Sequence, residues 1–305
     1  MDSSFYDFNA AAQLLAKVVD KRSAVTGNSQ LAGIAQAAYW PSDVQIVEAG
    51  TPKAYRLVSY DDGQPEELVF RLQGVLVAKE MPPVEKPLGS RNTKAKHLGQ
   101  KIVVAGLGDS SFQEAIQALE IVDSMIGRYV GPANLESHNI ATTFREQGAI
   151  QVSNRYFTPS SLARRNGETP ISFGEDVDPK GHLKAIGGDN YCHISENQTP
   201  YYYLTKLDNG EFKAQKCSPR LFQLGDLVEV SLSLLGVLIN PKLNKYKMVA
   251  TMRGLVLLDG SITERANSQL KTQNLKIKAP ALKLKRNLDI IDEGQEGMDT
   301  DNKTS

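Results

Sequence analysis

"GDLVEVSLSLLGVLINPKLNKYKMVATMRGLVLLDG", residues 225–260, is the stretch whose reading decides the fold. Two long β-prone runs flank Asn240, Pro241, Lys242 and Asn244, a turn region, so the segment reads as an antiparallel hairpin. Side chains alternate along a strand, which puts Val228, Val230, Leu232 and Leu234 on one face of the first run. Met248, Ala250, Met252, Val256 and Leu258 share one face of the second, and both faces are expected to meet a common core. The opposite face of the second run presents Lys245, Lys247, Thr251 and Arg253, beside Lys242 in the turn, as a basic ridge.

The entry "SPRLFQLGDLVEVSLSLL" resembles the start of a strongly curved strand in an OB-like small barrel, where glycine permits the bend. The runs Gly225–Glu229 and Met252–Asp259 are also similar to a group of uncharacterised proteins of mushroom-forming (basidiomycete) fungi, a resemblance that implies no activity. More strand texture surrounds this hairpin. "YRLVSY" and "ELVFRLQGVLVAK" lie between Val44 and Lys79, and "YYYLTKL" and "FKAQK" flank the turn signal "DNGE". Tyr201, Tyr202 and Tyr203 alternate faces, so one ring is available for stacking if that strand is exposed.

Two stretches have helical rather than strand periodicity. Phe8, Ala11, Ala12, Leu15, Val18 and Val19 predict an N-terminal amphipathic helix. In "KIVVAGLGDSSFQEAIQALEIVDSMIGRYVG", residues 101–131, a strand-like run meets Gly106 and Gly108, and an apolar stripe then predicts a helix from about Ser111 to Tyr129. A dinucleotide loop needs a third glycine where Ser111 stands and a second strand where this helix continues, so that reading is rejected. Ser110 with Gln113, and Ser111 with Glu114, match the capping box.

"GDSS" resembles the first block of the GDSL, or SGNH, hydrolases, which implies Ser110 as a nucleophile, with His193 in "GGDNYCH" a recruitable base. The Asp-x-x-His block of that family is absent, and hydrolysis stays an alternative. His97, His138, His182 and His193 are scattered, and no P-loop lysine signature follows a glycine pair, so neither metal nor cofactor is expected.

The expected class is therefore α+β, with a mainly antiparallel, OB-like sheet, an N-terminal helix and one long central helix. Residues 1–265 form the globular region, with an exposed connector or boundary at 81–99 that carries Lys86, Arg91, Lys94 and Lys96. Residues 266–305 read as a charged, largely disordered tail containing "KLKR" at 283–286. Composition narrows the function. Thirty-five basic and 35 acidic residues cancel, so any polyanion must be held by a local patch.

No run is long and apolar enough to span a membrane, and the acidic start is unlike a signal peptide, which predicts an intracellular, cytoplasmic or nuclear protein. Cys192 and Cys217 are expected to be reduced, and the sequons at Asn197 and Asn302 to be unused. Function is expected to be non-catalytic binding. The first candidate ligand is single-stranded nucleic acid held by Lys242, Lys245, Lys247 and Arg253 with help from the connector lysines; the second is a protein partner.

Overall fold

The structure is a computed structural model that describes residues 4–26, 29–36, 44–87, 95–206 and 212–277. Its first half contains α1 (Phe8–Thr26), β1 (Gln45–Ala49), β2 (Ala54–Asp61), β3 (Gln64–Glu67), β4 (Phe70–Glu80), β5 (Gly99–Ala105) and α2 (Ser110–Val130). Next come β6 (Leu135–Glu136), β7 (Ala141–Phe144), β8 (Gln147–Arg155), β9 (Thr158–Pro159), α3 (Ser160–Arg165) and α4 (His182–Gly187). The chain continues through β10 (Tyr191–Cys192), β11 (Tyr201–Lys206), β12 (Phe212–Lys216), β13 (Leu227–Asn240), β14 (Lys245–Asp259) and α5 (Ser261–Ile277).

Five strands close on themselves in the order β4, β5, β8, β14, β13 and back to β4. All neighbours are antiparallel except β8 and β14, which pair in parallel at Ser153 and Thr251. This is the OB-like barrel that the sequence predicts, with the fourth strand returning to lie beside the first. Closure removes the open edges that a sheet of strands this long would otherwise expose. Outside the ring, β2 extends β13 through the Leu235–Arg56 and Gly236–Tyr55 pairs, and β11 extends β14 in parallel from Tyr201 and Leu255.

The inward faces of β13 and β14 carry Val228, Val230, Leu232, Leu234, Met248, Ala250 and Met252 into one buried core, as the alternation predicts. One part of that alternation is corrected. Ser231 pairs with Gly254 but Leu232 pairs with Met252, so Arg253 is an extra residue in a β-bulge. A one-residue insertion flips every later side chain, and a second shift follows at Leu227/Val228. Leu255 and Leu257 therefore join the core, whereas Leu258 turns outward against α1 and α5, and Val256 does not share the face of Met248.

The central helix α2 plugs one end of the barrel, burying Phe112, Ala115, Leu119, Val122 and Ile126 at about 1.5–3 kcal/mol for each large apolar side chain. Its N-cap corrects the sequence reading. Asp109, not a serine, caps it: the carboxylate Oδ1 accepts from the Ser111 and Phe112 N–H groups at 3.0 and 3.3 Å and from Ser111 Oγ at 2.5 Å. The glycines before it serve packing and turn geometry. A Cβ on Gly106 would stand 2.3 Å from the Phe112 ring, and Gly108 has a φ of +86°.

Helices α1 and α5 cover the outer face of β4 and β13, where Ala11, Leu15 and Val19 meet Val75, Leu227, Ile262 and Ala266. Folded structure thus crosses the expected boundary at 265, since α5 continues to Ile277; residues 278–305 lie outside the described residues. Beneath α1 the fully buried Glu229 accepts from Arg22 at 2.7 Å, Arg71 at 2.8 Å and Gln73 at 2.8 Å. Burial alone would push its carboxyl up, but these donors outweigh it and hold the group below the usual range.

Candidate nucleic-acid interface

The β13–β14 hairpin projects past the barrel end that α2 closes, and its turn is built by Asn240. The Asn240 Oδ1 accepts from the Lys242 and Leu243 N–H groups at 3.1 and 3.3 Å, an Asx-type turn that holds Lys242 out in solvent. Lys245 and Lys247 follow on the outward face, half-buried along their stems. Lys245 Nζ donates to the Ala133 carbonyl at 2.6 Å. None of the three is ion-paired among the described residues; the paired lysines are Lys53 and Lys101.

Tyr246 alternates with Lys245 and Lys247 and so faces the other side of the strand, where it and Tyr55 pack against the core. Tyr246 packs edge-on against Tyr55 at 5.4 Å between centroids, and Leu243, 63% exposed, caps the turn. Ammonium groups without ion-pair partners are what a flexible polyanion requires of a binding face.

Arg253 does not belong to this patch. Six residues beyond Lys247, about 20 Å along a strand, its Nη2 lies 2.7 Å from Glu67 and its Nη1 3.8 Å from Glu196. Arg56 binds the same two carboxylates at 2.7 and 2.8 Å, and Arg155 sits beside them with its Nη2 3.0 Å from the Thr51 carbonyl. A Cβ on Gly50 would overlap the Arg56 guanidinium, so a glycine with a φ of +84° is needed there. Arg253 ties β14 to β3 and to the segment before β11, and its charge is already satisfied. The bulge at Arg253 and the acids that neutralise it, distant in sequence, are why the single basic ridge does not form.

The connector lysines are also elsewhere. Strand pairing puts Glu80 and Lys101, and with them the described connector residues 81–87 and 95–98, at the end of the barrel opposite the hairpin tip. Lys86 and Lys96 are exposed there, while Arg91 and Lys94 lie outside the described residues. Of the tyrosine run, Tyr201 is buried with its hydroxyl donating to Gln100 Oε1, and Tyr203 donates to Gln215 at 2.6 Å.

The hydrolase constellation is not assembled. Gly106, just before Ser110, bonds to Gly148 at one end of β8, whereas His193 Nδ1 bonds to the Tyr156 carbonyl beyond the other end. Eight residues of extended chain separate those anchors, about 26 Å, so Ser110 has no base in His193. Asn197 is 1% exposed, and its Oδ1 accepts from the Ile194 N–H and the Thr158 hydroxyl, which leaves that sequon inaccessible. Both cysteines are free.

Sequence reasoning missed a cleft of about 610 Å³ at the connector end, lined by Gln100, Tyr156, Phe173, His193, Tyr201 and Lys216 among others. These residues come from five separate stretches of chain, and no spacing links them. The only sequence signal was the density of tyrosines.

No protein-family model matches the chain, and no curated protein sequence matches it. Among solved structures the chain is similar to the "Crystal Structure of gp2.5, a Single-Stranded DNA Binding Protein Encoded by Bacteriophage T7", at 9% identity over 63% of this chain and 86% of that chain. The TM-score is 0.32, a correspondence too loose to carry an argument about this protein.

Proposed function

We infer that the protein binds single-stranded nucleic acid, with the hairpin lysines Lys242, Lys245 and Lys247 as phosphate contacts. The observation that carries this reading is three ammonium groups at one hairpin tip, without carboxylate partners among the described residues, on a chain with no net charge. A local concentration of basic charge attracts a polyanion even where the global field is nil. Barrels of this shape present their strand faces and hairpin loops to oligonucleotides.

The test is equilibrium anisotropy of a labelled oligothymidylate across a salt series. Each phosphate contact on a single strand contributes about 0.7 to the slope of log K against log salt, so the Lys242→Ala, Lys245→Ala, Lys247→Ala triple variant should flatten that slope by about 2. Binding by the wild type that is undetectable or independent of salt would sink the reading. An unchanged slope in the triple variant would move the site away from the hairpin.

A further inference from the structure

The barrel end opposite α2 is polar where the interior below it is apolar. On β5 the inward positions Ile102 and Val104 give way to Gln100, and on β8 Ile150 and Val152 give way to Asn154. Asn154 is used up, its Nδ2 lying 3.2 to 3.4 Å from Glu196 O, Gln198 O and Thr199 Oγ1. Gln100 is not. It is 3% exposed, its Oε1 accepts from the Tyr201 hydroxyl, and its Nε2 donates to nothing among the described residues.

Above this mouth lies the cleft of about 610 Å³, within the range of about 300–1,000 Å³ typical of small-ligand sites. Tyr156 lines it, is 5% exposed, and its hydroxyl is likewise without a partner among the described residues. His193 Nδ1 lies 2.9 Å from the Tyr156 carbonyl, which can only accept, so Nδ1 carries the hydrogen. Burial holds this imidazole below its ordinary pKa, with the hydrogen bond to Tyr156 a smaller opposing influence, and a neutral ring leaves Nε2 as an acceptor.

The cleft therefore combines an unspent donor, an unspent hydroxyl and an unspent acceptor with flat walls. Phe173 and His193 lie against each other at 4.4 Å and 34°. Lys216 is exposed at the margin, and the connector belongs to the same end, since the Val84 N–H donates to the carbonyl of Val177, which also lines the cleft. A planar ring with alternating donors and acceptors on its edge offers chemistry complementary to each of these groups.

We propose that this cleft is a nucleobase-binding site. When the base belongs to a strand the proposal rests on the function inferred above, with the strand running from the hairpin to the cleft; a free nucleoside needs the cleft alone. The two sources share one recognition chemistry, ring stacking plus hydrogen bonds to the base edge.

Two measurements separate them. Saturation-transfer NMR with adenosine and with uridine reads the cleft directly, and anisotropy with labelled oligothymidylate against an abasic backbone of equal length reads the base-dependent part of strand binding. Ser172→Trp fills the cleft from an exposed position, and Phe173→Ala removes a wall; unchanged thermal unfolding of Ser172→Trp verifies the fold. The expected result is a wild-type preference for the base-bearing strand of about 5- to 150-fold, the size of one stacked base, that both variants abolish while the salt slope stays the same. Nucleoside signals lost in Ser172→Trp without a strand preference would assign the cleft to free nucleosides.

If no nucleoside signal depends on residue 172 and base removal costs wild type and variant alike, the proposal is overturned while the hairpin reading stands. A flat salt dependence with nucleoside binding intact would do the reverse.

Discussion

The two ends of β14 carry basic side chains on the same outward face and put them to opposite uses. At the hairpin tip Lys242 is exposed and Lys245 and Lys247 are half-buried, and none of them is ion-paired among the described residues. About 20 Å further along, Arg253 is only 14% exposed and clamped by Glu67 and Glu196, which Arg56 also holds. A cation is available to a ligand only when the fold has not already neutralised it, and the neutralising acids here come from 186 and 57 residues away. Guanidinium suits the clamped position because its planar fork serves two carboxylates at once, whereas ammonium on a flexible stem is free to follow a mobile anion.

The contrast can be broken most forcefully from the acid side. Glu196→Ala strands Arg56 and Arg253 in a mostly desolvated setting and should cost about 2–4 kcal/mol of unfolding free energy in a urea titration, the lower end reflecting the 20% exposure of the carboxylate. A loss below about 0.5 kcal/mol would mean the cluster is not cooperative. Next, Arg253→Ala should lower stability by about 1–3 kcal/mol yet leave the salt slope of oligonucleotide binding where it was. A flattened slope would place Arg253 on the nucleic acid after all.

The hairpin variant should behave in the opposite sense. Replacing Lys242, Lys245 and Lys247 by Ala should shift stability by less than about 1 kcal/mol, because exposed charges contribute little to folding, while the salt slope of binding flattens by about 2. Thermal melts alongside the anisotropy series would expose any reversal of that order.

The smallest effect concerns pH at the cleft. His193 has a lowered folded-state pKa, so as pH falls below the ordinary value of 6.5 the unfolded chain takes up the proton first. Stability should therefore fall from pH 6.5 down to the folded-state pKa and then level, and His193→Gln should remove that component. A pH profile identical in the variant would show that His193 is not held neutral.

Local patterns explain which parts of this architecture could be read in advance. Helix α2 was legible from its apolar stripe because a helix buries one face at a fixed period, and the β13–β14 hairpin from its alternation. Reading failed where one residue was inserted. Nothing local marks Arg253 as a bulge, and beyond it the parity of Leu255, Val256, Leu257 and Leu258 reversed. The helix cap went to Asp109 over the two serines because a carboxylate one position earlier reaches two N–H groups and a hydroxyl together. Gly106 and Gly108 looked like a cofactor loop, yet one admits the Phe112 ring and the other a positive φ.

By itself, then, the sequence determined the α+β class, the central helix, the hairpin and the lysines at its tip, all consequences of side chains a few residues apart. Only the tertiary structure decided which five strands close the barrel, that Arg253 is spent on Glu67 and Glu196, that Ser110 and His193 lie at opposite ends of β8, and that rings from separate segments enclose a cleft. Periodicity reports which face of an element is buried. It does not report which distant element buries it, and charge availability and cavities depend on that partner.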